Sequence, residues 1–339
     1  MRIVVDAMGG DDAPAVEVAG AVAAMREGDA DLRILLAGDE ARVRAELEKA
    51  GAASEPRFSV VHAPERIEMG EDPARQVRRK KGASIAVATQ LLRDGHADGL
   101  VSAGNTGAVV ASSLLTLGRI PGVRRPGIAT FLPSPTGGAV LLDVGANSDC
   151  TPQHLVQFAV MGSIFARKLL DRENPKVGLL NIGEESSKGN KLVQTTYPLL
   201  QASRLNFVGT VEGRDIFRGG VDVVVCDGFV GNVVLKFSES VIHLMKHLVK
   251  EEIGDALRHK LGALLLRPVF KSLSQQLNYE EYGGAPLLGV DGVVIIAHGS
   301  SSPRAIASAV RVAVRFARER INDHIRDELQ ERELGQVSA

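Results

Sequence analysis

Cysteine is nearly absent: the 339-residue chain has only Cys150 and Cys226. Two thiols build neither a disulfide framework nor a multi-cysteine metal site, and a reducing compartment is the simple reading. An excess charge of one sign is missing too. Forty Lys and Arg stand against 41 Asp and Glu, a formal net charge of −1, so the chain is not expected to bind nucleic acid, which calls for a basic surplus. No apolar run approaches the ~18 to 20 residues of a membrane-spanning helix. The opening MRIVVDAMGG enters a strand-like run without the charged, apolar and cleavage regions of a signal peptide. The expectation is a cytoplasmic protein.

Familiar catalytic fingerprints are missing as well. No two of the 36 glycines are separated by a single residue, so the G-x-G-x-x-G dinucleotide turn does not occur. The G-x-x-x-x-G-K-[ST] phosphate loop, the G-x-S-x-G nucleophile elbow and the H-E-x-x-H zinc pair do not occur either. His243 and His247 lie four apart without a third ligand nearby, and the carboxylates are scattered, so no metal and no cofactor are expected.

What the chain does have is apolar content of 45% with 24% charged residues, the balance of a globular protein with a large core. Short β-branched runs alternate with helix-period stretches from end to end, the pattern of an α/β protein with a mostly parallel sheet. Strands are expected at 2–6, 32–37, 57–62, 98–102, 128–132, 139–144, 176–182, 205–211, 221–226 and 293–297. Helices are expected at 14–26, 39–50, 82–93, 107–117, 151–170, 189–201 and 303–320. Gly137-Gly138 reads as a hairpin turn, giving one antiparallel pair. With no long linker, residues 1–339 read as one catalytic domain, interrupted by a helical hairpin insertion over 229–277. Its apolar tip spans Leu264, Leu265, Leu266, Val269 and Phe270, flanked by Arg258, Lys260, Arg267 and Lys271. Such a patch suits either a dimer interface or a bilayer surface.

Six turns rich in Gly, Asn and hydroxyl residues follow strands, at 8–14, 102–108, 143–147, 183–190, 227–232 and 298–301. In an open parallel sheet the strand carboxyl ends line one crevice, so these turns are expected to converge there. Small residues let backbone N–H groups approach a ligand, and a helix starting after such a turn offers its positive end to an anion. Phosphate is the natural guest, although each turn taken singly is also an ordinary helix cap. Lys188 sits at an expected helix start, where a cation opposes the macrodipole and an anionic partner would account for it. His298 closes an apolar strand and suits a donor or proton carrier. Asp6, Asp143 and Asp227 also end strands and read as loop-ordering groups.

The stretches MGGDDAP, SAGNTGA, LLDVGAN, NIGEESSKGN, CDGFVGNVVLK and YGGAPLLGVDGVVIIAHGSSSPRAI, in this order along nearly the whole chain, resemble the acyl-acyl carrier protein:phosphate acyltransferases of bacterial phospholipid synthesis. The resemblance implies a three-layer α/β/α fold of the phosphotransacetylase and isocitrate dehydrogenase kind, and a homodimer. It implies transfer of a long fatty acyl chain from acyl carrier protein to inorganic phosphate, feeding a membrane glycerol-3-phosphate acyltransferase from the inner face of the cell membrane. On this reading Lys188, Asn232 and His298 are expected to be catalytic. Gly104, Asn105, Thr106, Gly107 and Ser300 would hold phosphate, and Lys81, Ser84 and Asn147 would contact substrate. The acidic carrier protein would dock on Arg78, Arg79, Lys80, Arg124 and Arg125. One departure stands out: where the family pattern reads Arg-x-Lys-Lys-Asp-Ser-Ser, this chain places Gly82 and Ala83 at two polar positions.

Overall fold

The computed structural model describes residues 1–185, 187–254, 256–270 and 283–337, so the part of the expected hairpin at 271–277 lies outside the described residues. Among the described residues eleven strands form one sheet in the order β3-β2-β1-β4-β11-β10-β5-β6-β9-β7-β8. Along the chain they are β1 (Arg2–Asp6), β2 (Arg33–Gly38), β3 (Phe58–His62), β4 (Gly99–Ser102), β5 (Gly127–Leu132) and β6 (Ala139–Leu142). These are followed by β7 (Val177–Leu180), β8 (Phe207–Val211), β9 (Val223–Val225), β10 (Ala285–Leu288) and β11 (Val294–Ile296).

The strands are apolar on both faces because both faces are covered. In β1, Ile3 and Val5 join one core cluster and Val4 the other, and in β6 Val140 and Leu142 oppose Leu141 in the same way. Helices pack over each cluster and make three α/β/α layers. Helix Pro303–Arg318 shows how the sequence encodes such a cover: Ser302 accepts from the Ala305 N–H at 3.3 Å, Pro303 opens the first turn, and Ile306, Ala309, Val310, Ala313 and Phe316 are buried at three-to-four spacing. Each such large apolar side chain contributes about 1.5–3 kcal/mol by leaving water.

The sheet departs from expectation at its centre. Besides the foreseen β5/β6 hairpin, β10 pairs antiparallel with both β11 and β5. Three antiparallel steps in succession mean that β11 and β6 run in opposite directions. The sheet is therefore two parallel blocks, β3-β2-β1-β4-β11 and β6-β9-β7-β8, of opposed polarity. Strand β10 joins them by changing partner midway: Ala285 and Pro286 pair with β11, and Leu287 and Leu288 pair with β5. Its four residues, one of them proline, lie between Gly284 and Gly289, which is why no strand is expected there. Helices at Pro73–Arg79, Gly213–Arg218 and Ile321–Val337 are likewise additional.

The long helix Gly228–Ile253 follows β9, and a second helix, Leu257–Leu265, follows it. No helix among the described residues is long and apolar enough to cross a membrane.

Candidate active site

A cavity of 550 Å³ lies over the central antiparallel strands, a size typical of ligand sites, which run ~300–1,000 Å³. Turns from both blocks reach it. Asp11, Gly104, Thr106, His298 and Gly299 come from the turns after β1, β4 and β11, and Val144, Gly145 and Asn232 from those after β6 and β9. Five of the six expected turns thus meet at one cavity, and the turn at 183–190 does not line it. Ile128, Phe131, Val144, Leu235 and Ile296 give the cavity an apolar wall beside the polar groups.

Buried carboxyls shape both lips. Asp143 is fully buried and accepts from the backbone N–H groups of Ile128, Gly145, Ala146 and Asn147 and from Asn147 Nδ2, at 2.8–3.1 Å. Burial raises its pKa, and these donors act against that rise. On the other lip, Asp6 accepts from Ser102 Oγ at 2.7 Å and from the Met8 N–H at 3.3 Å, with Ser84 as a further donor. Its pKa is raised by burial. Next to it, Glu17 Oε1 accepts from the Gly10 N–H at 3.0 Å, while the buried Oε2 has no hydrogen-bond partner. Burial first, then the nearby Asp6 and Asp12 charges, push Glu17 up to about 7.

Two glycines set the approach of these loops. A Cβ at Gly9 would stand 2.6 Å from the Gly104 backbone nitrogen, so the 8–14 turn can lie on the 102–108 turn only without a side chain there. A Cβ at Gly231 would collide with the Asp143 carbonyl oxygen, so glycine lets the long helix bring Asn232 over Gly145.

Of the expected catalytic residues, Asn232 and His298 line the cavity. Lys188 lies outside it, exposed, with its ammonium 2.8 Å from Glu185; that bond is the main cause of its raised pKa. Of the expected phosphate residues, Gly104 and Thr106 line the cavity, and Ser300 Oγ stands 2.8 Å from His298 Nδ1. Asn105 caps helix Thr106–Thr116 through the Ala108 N–H and ties down the Met69 carbonyl at 2.8 Å. Gly107 packs against Pro73 of the neighbouring short helix. Asn147 bonds Asp143 and the Pro126 carbonyl, Ser84 is buried against Asp6, and Lys81 is exposed away from the cavity lining.

Arg78, Arg79, Arg124 and Arg125 are exposed, whereas Lys80 is drawn back by Glu71 at 2.7 Å and the Arg66 carbonyl at 3.0 Å. At the family departure, Gly82 donates to Glu65 Oε2 and buried Ala83 takes the N-cap of helix Ser84–Arg93 without a side-chain cap. Leu264, Leu265, Leu266, Val269 and Phe270 are all exposed.

Two charged cavity residues were not foreseen. Lys236 and Glu239 follow Asn232 by four and seven positions on the long helix and share its face. The signal was the helical spacing that starts at Asn232 in GNVVLK. Neither cysteine suits a nucleophile: burial pushes Cys150 up to about 11 and Cys226 well above its ordinary value.

Comparison with known proteins agrees with this architecture. Residues 1–324 match the family model described as fatty acid synthesis protein. A phosphate acyltransferase of Heliobacterium modesticaldum is 54% identical over 313 residues, covering 92% of this chain and 93% of that one. One of Desulfitobacterium hafniense is 52% identical over 330 residues, covering 97% of each. Among solved structures, a phosphotransacetylase from Streptococcus pyogenes matches with a TM-score of 0.62 at 19% identity, over 94% of each chain. A branched-chain phosphotransacylase from Enterococcus faecalis matches with a TM-score of 0.58 at 16% identity, over 94% of this chain and 99% of that one. These two share the fold. The full-length identity to phosphate acyltransferases and the match over residues 1–324 place the chain in the fatty acid synthesis protein family.

Proposed function

We propose that this acyltransferase moves a long fatty acyl chain from the thioester of acyl carrier protein to inorganic phosphate. The observation that carries the reading is a single cavity with an apolar wall of Ile128, Phe131, Val144 and Leu235 and a polar side of Thr106, Asn232, Lys236 and His298. An acyl chain needs the first and an oxyanion the second.

The reaction balances without a covalent enzyme intermediate. An oxygen of hydrogen phosphate attacks the thioester carbon, the C–O bond forms, and the C–S bond breaks with its electron pair on sulfur. The phosphate proton ends on the thiol, and acyl phosphate leaves as the dianion. A thiolate with a pKa of about 8.5 is a good leaving group, so the protein's task is to hold the reactants together and stabilise the tetrahedral oxyanion. Asn232, Gly104 and Thr106 line the cavity, which supports giving this role to Asn232 and the Gly104 to Thr106 turn.

The acidic carrier protein docks on exposed Arg78 and Arg79, with Arg124 and Arg125 as a second patch. The exposed side chains of Phe229, Val233 and Phe237 suit pairing into a homodimer, and the tip from Leu264 to Phe270 suits rest on the inner membrane surface. There the acyl phosphate is passed to a membrane glycerol-3-phosphate acyltransferase.

The test is thiol release from palmitoyl-acyl carrier protein with and without inorganic phosphate, with hydroxylamine trapping of acyl phosphate. Phosphate-dependent release with trapped product is expected. Release without phosphate would indicate a thioesterase, and turnover of acyl-coenzyme A alone would indicate a phosphotransacetylase.

A further inference from the structure

Among the described residues that line the cavity, Lys236 is the one lysine or arginine. Helix Gly228–Ile253 opens on the Asp227 cap and carries Asn232 and Lys236 one turn apart, so both point to the cavity. The Lys236 ammonium has two neighbours: Glu239 Oε2 at 3.0 Å, and His298 Nε2 at 3.4 Å.

The chemistry of the second contact follows from the other side of the ring. Nδ1 of His298 faces both the Ser300 backbone N–H at 3.3 Å and the Ser300 hydroxyl at 2.8 Å. A backbone N–H only donates, so Nδ1 accepts, and the neutral ring carries its proton on Nε2. Nε2–H and an ammonium are both donors and cannot bond each other. They stand 3.4 Å apart at the cavity, close enough for one acceptor oxygen to bond both. The nearby Asp11 and Glu239 carboxylates also line the cavity, and a phosphate dianion entering beside them requires a positive partner.

We propose that Lys236 Nζ and His298 Nε2–H form a two-donor cradle for one oxygen of the phosphate nucleophile. Ser300 holds the histidine in the donating tautomer, and Glu239 holds the ammonium in place. This inference rests on the acyl-transfer reading for its consequence in turnover, but the anion site itself is testable without turnover.

The experiment compares wild type with Lys236→Met, Lys236→Arg and Ser300→Ala. Each is checked for folding by circular dichroism. Two quantities are read: steady-state kinetics against phosphate and against carrier protein, and protection from thermal unfolding by inorganic phosphate. Lys236→Met is expected to lose the protection, raise the phosphate KM at least about tenfold and lower kcat about 100-fold, the scale of losing one preorganised donor. The carrier-protein KM stays within about twofold, since uniform binding elsewhere is untouched. Lys236→Arg keeps the charge and recovers part of both losses. Ser300→Ala removes the hydroxyl at Nδ1 and keeps the backbone N–H that sets the tautomer, so the ring is held by one contact instead of two; a shifted pH profile of kcat/KM is expected, with the melting temperature near wild type.

A folded Lys236→Met protein with wild-type phosphate KM and protection would overturn the cradle. So would a loss of kcat with an unchanged phosphate KM, because that outcome moves Lys236 from the phosphate to the thioester oxyanion. If wild type is protected by phosphate through Lys236 yet releases no thiol, the cradle stands and the acyl-transfer reading falls. The lysine side chain is half exposed, so folding is not expected to depend on it.

Discussion

Two buried carboxyls on opposite lips of the cavity are treated very differently by their surroundings. Asp143 receives five hydrogen bonds, four of them from backbone N–H groups, and so organises the 143–147 turn around itself. Glu17 receives one on its side chain, from Gly10, and leaves its second oxygen buried without a partner. Both pKa values are raised by burial, but only a carboxyl short of donors has so little to oppose the rise, and Glu17 reaches about 7. One lip is built on a carboxyl held by a shell of backbone dipoles. The other is built on a group that favours its proton near neutrality.

The largest expected effect breaks the first lip. Asp143→Ala strands the buried Ile128 N–H, worth about 1 kcal/mol or more when left unmade, and takes the acceptor from the part-buried N–H groups of Gly145, Ala146 and Asn147. A loss of about 3–5 kcal/mol is expected, read as a lower urea midpoint, together with loss of activity because Val144 and Gly145 leave the cavity wall. A change below about 1 kcal/mol would show that the turn holds itself.

The second effect is smaller and depends on pH. Glu17 binds its proton more tightly folded, at about 7, than unfolded, at 4.5. Below the unfolded value both states are protonated and the group costs nothing. As pH rises through 4.5 and on to about 7 the unfolded chain ionises first, so stability falls, and above about 7 the full cost is present. Its order is about 3 kcal/mol at one pKa unit per 1.36 kcal/mol. Glu17→Gln keeps an acceptor for Gly10 and has no charge to bury. It is expected to match wild type near pH 4 and to exceed it by about 1–3 kcal/mol at pH 8. Denaturant titrations at both pH values check this, and parallel curves would show that Glu17 is ionised without penalty.

Much of this contrast was hidden in the sequence, for physical reasons. Strands such as 2–6 and the helix near 303–320 were legible because apolar runs and three-to-four spacing are local signals. Strand β10 was not, because Ala-Pro-Leu-Leu between glycines becomes a strand only through its two partners. The reversed polarity of the two blocks depends on that strand. Asn232 and His298 were legible as polar groups at turns beside strands. Lys236 was not, since a lysine within an amphipathic helix looks like any solvated position until the helix is docked. Lys188 attracted attention as a cation at a helix start, and the structure supplies Glu185, three residues earlier, as its anionic partner. Glu17 reads as a favourable acidic residue in a first helical turn, and its burial comes from the loops folded over it.

The smallest effect sharpens the account of Glu17 itself. Three influences raise its pKa, and they rank as burial, then the Asp6 charge, then the Asp12 charge. Asp12 is exposed, and water screens its field, so Asp12→Asn removes only the weakest influence. Stability at any one pH is expected to change by less than about 0.5 kcal/mol, as for most surface substitutions. The upper end of the pH window should nevertheless move down by less than about half a unit, because one negative neighbour no longer opposes ionisation. The side-chain carboxyl of Glu17, followed by carbon-detected NMR through the titration, reads this shift directly. A shift of more than one unit would mean that charge, not burial, governs this lip. In that case Asp6, the closer-coupled neighbour, would be the group that sets the difference between Glu17 and Asp143.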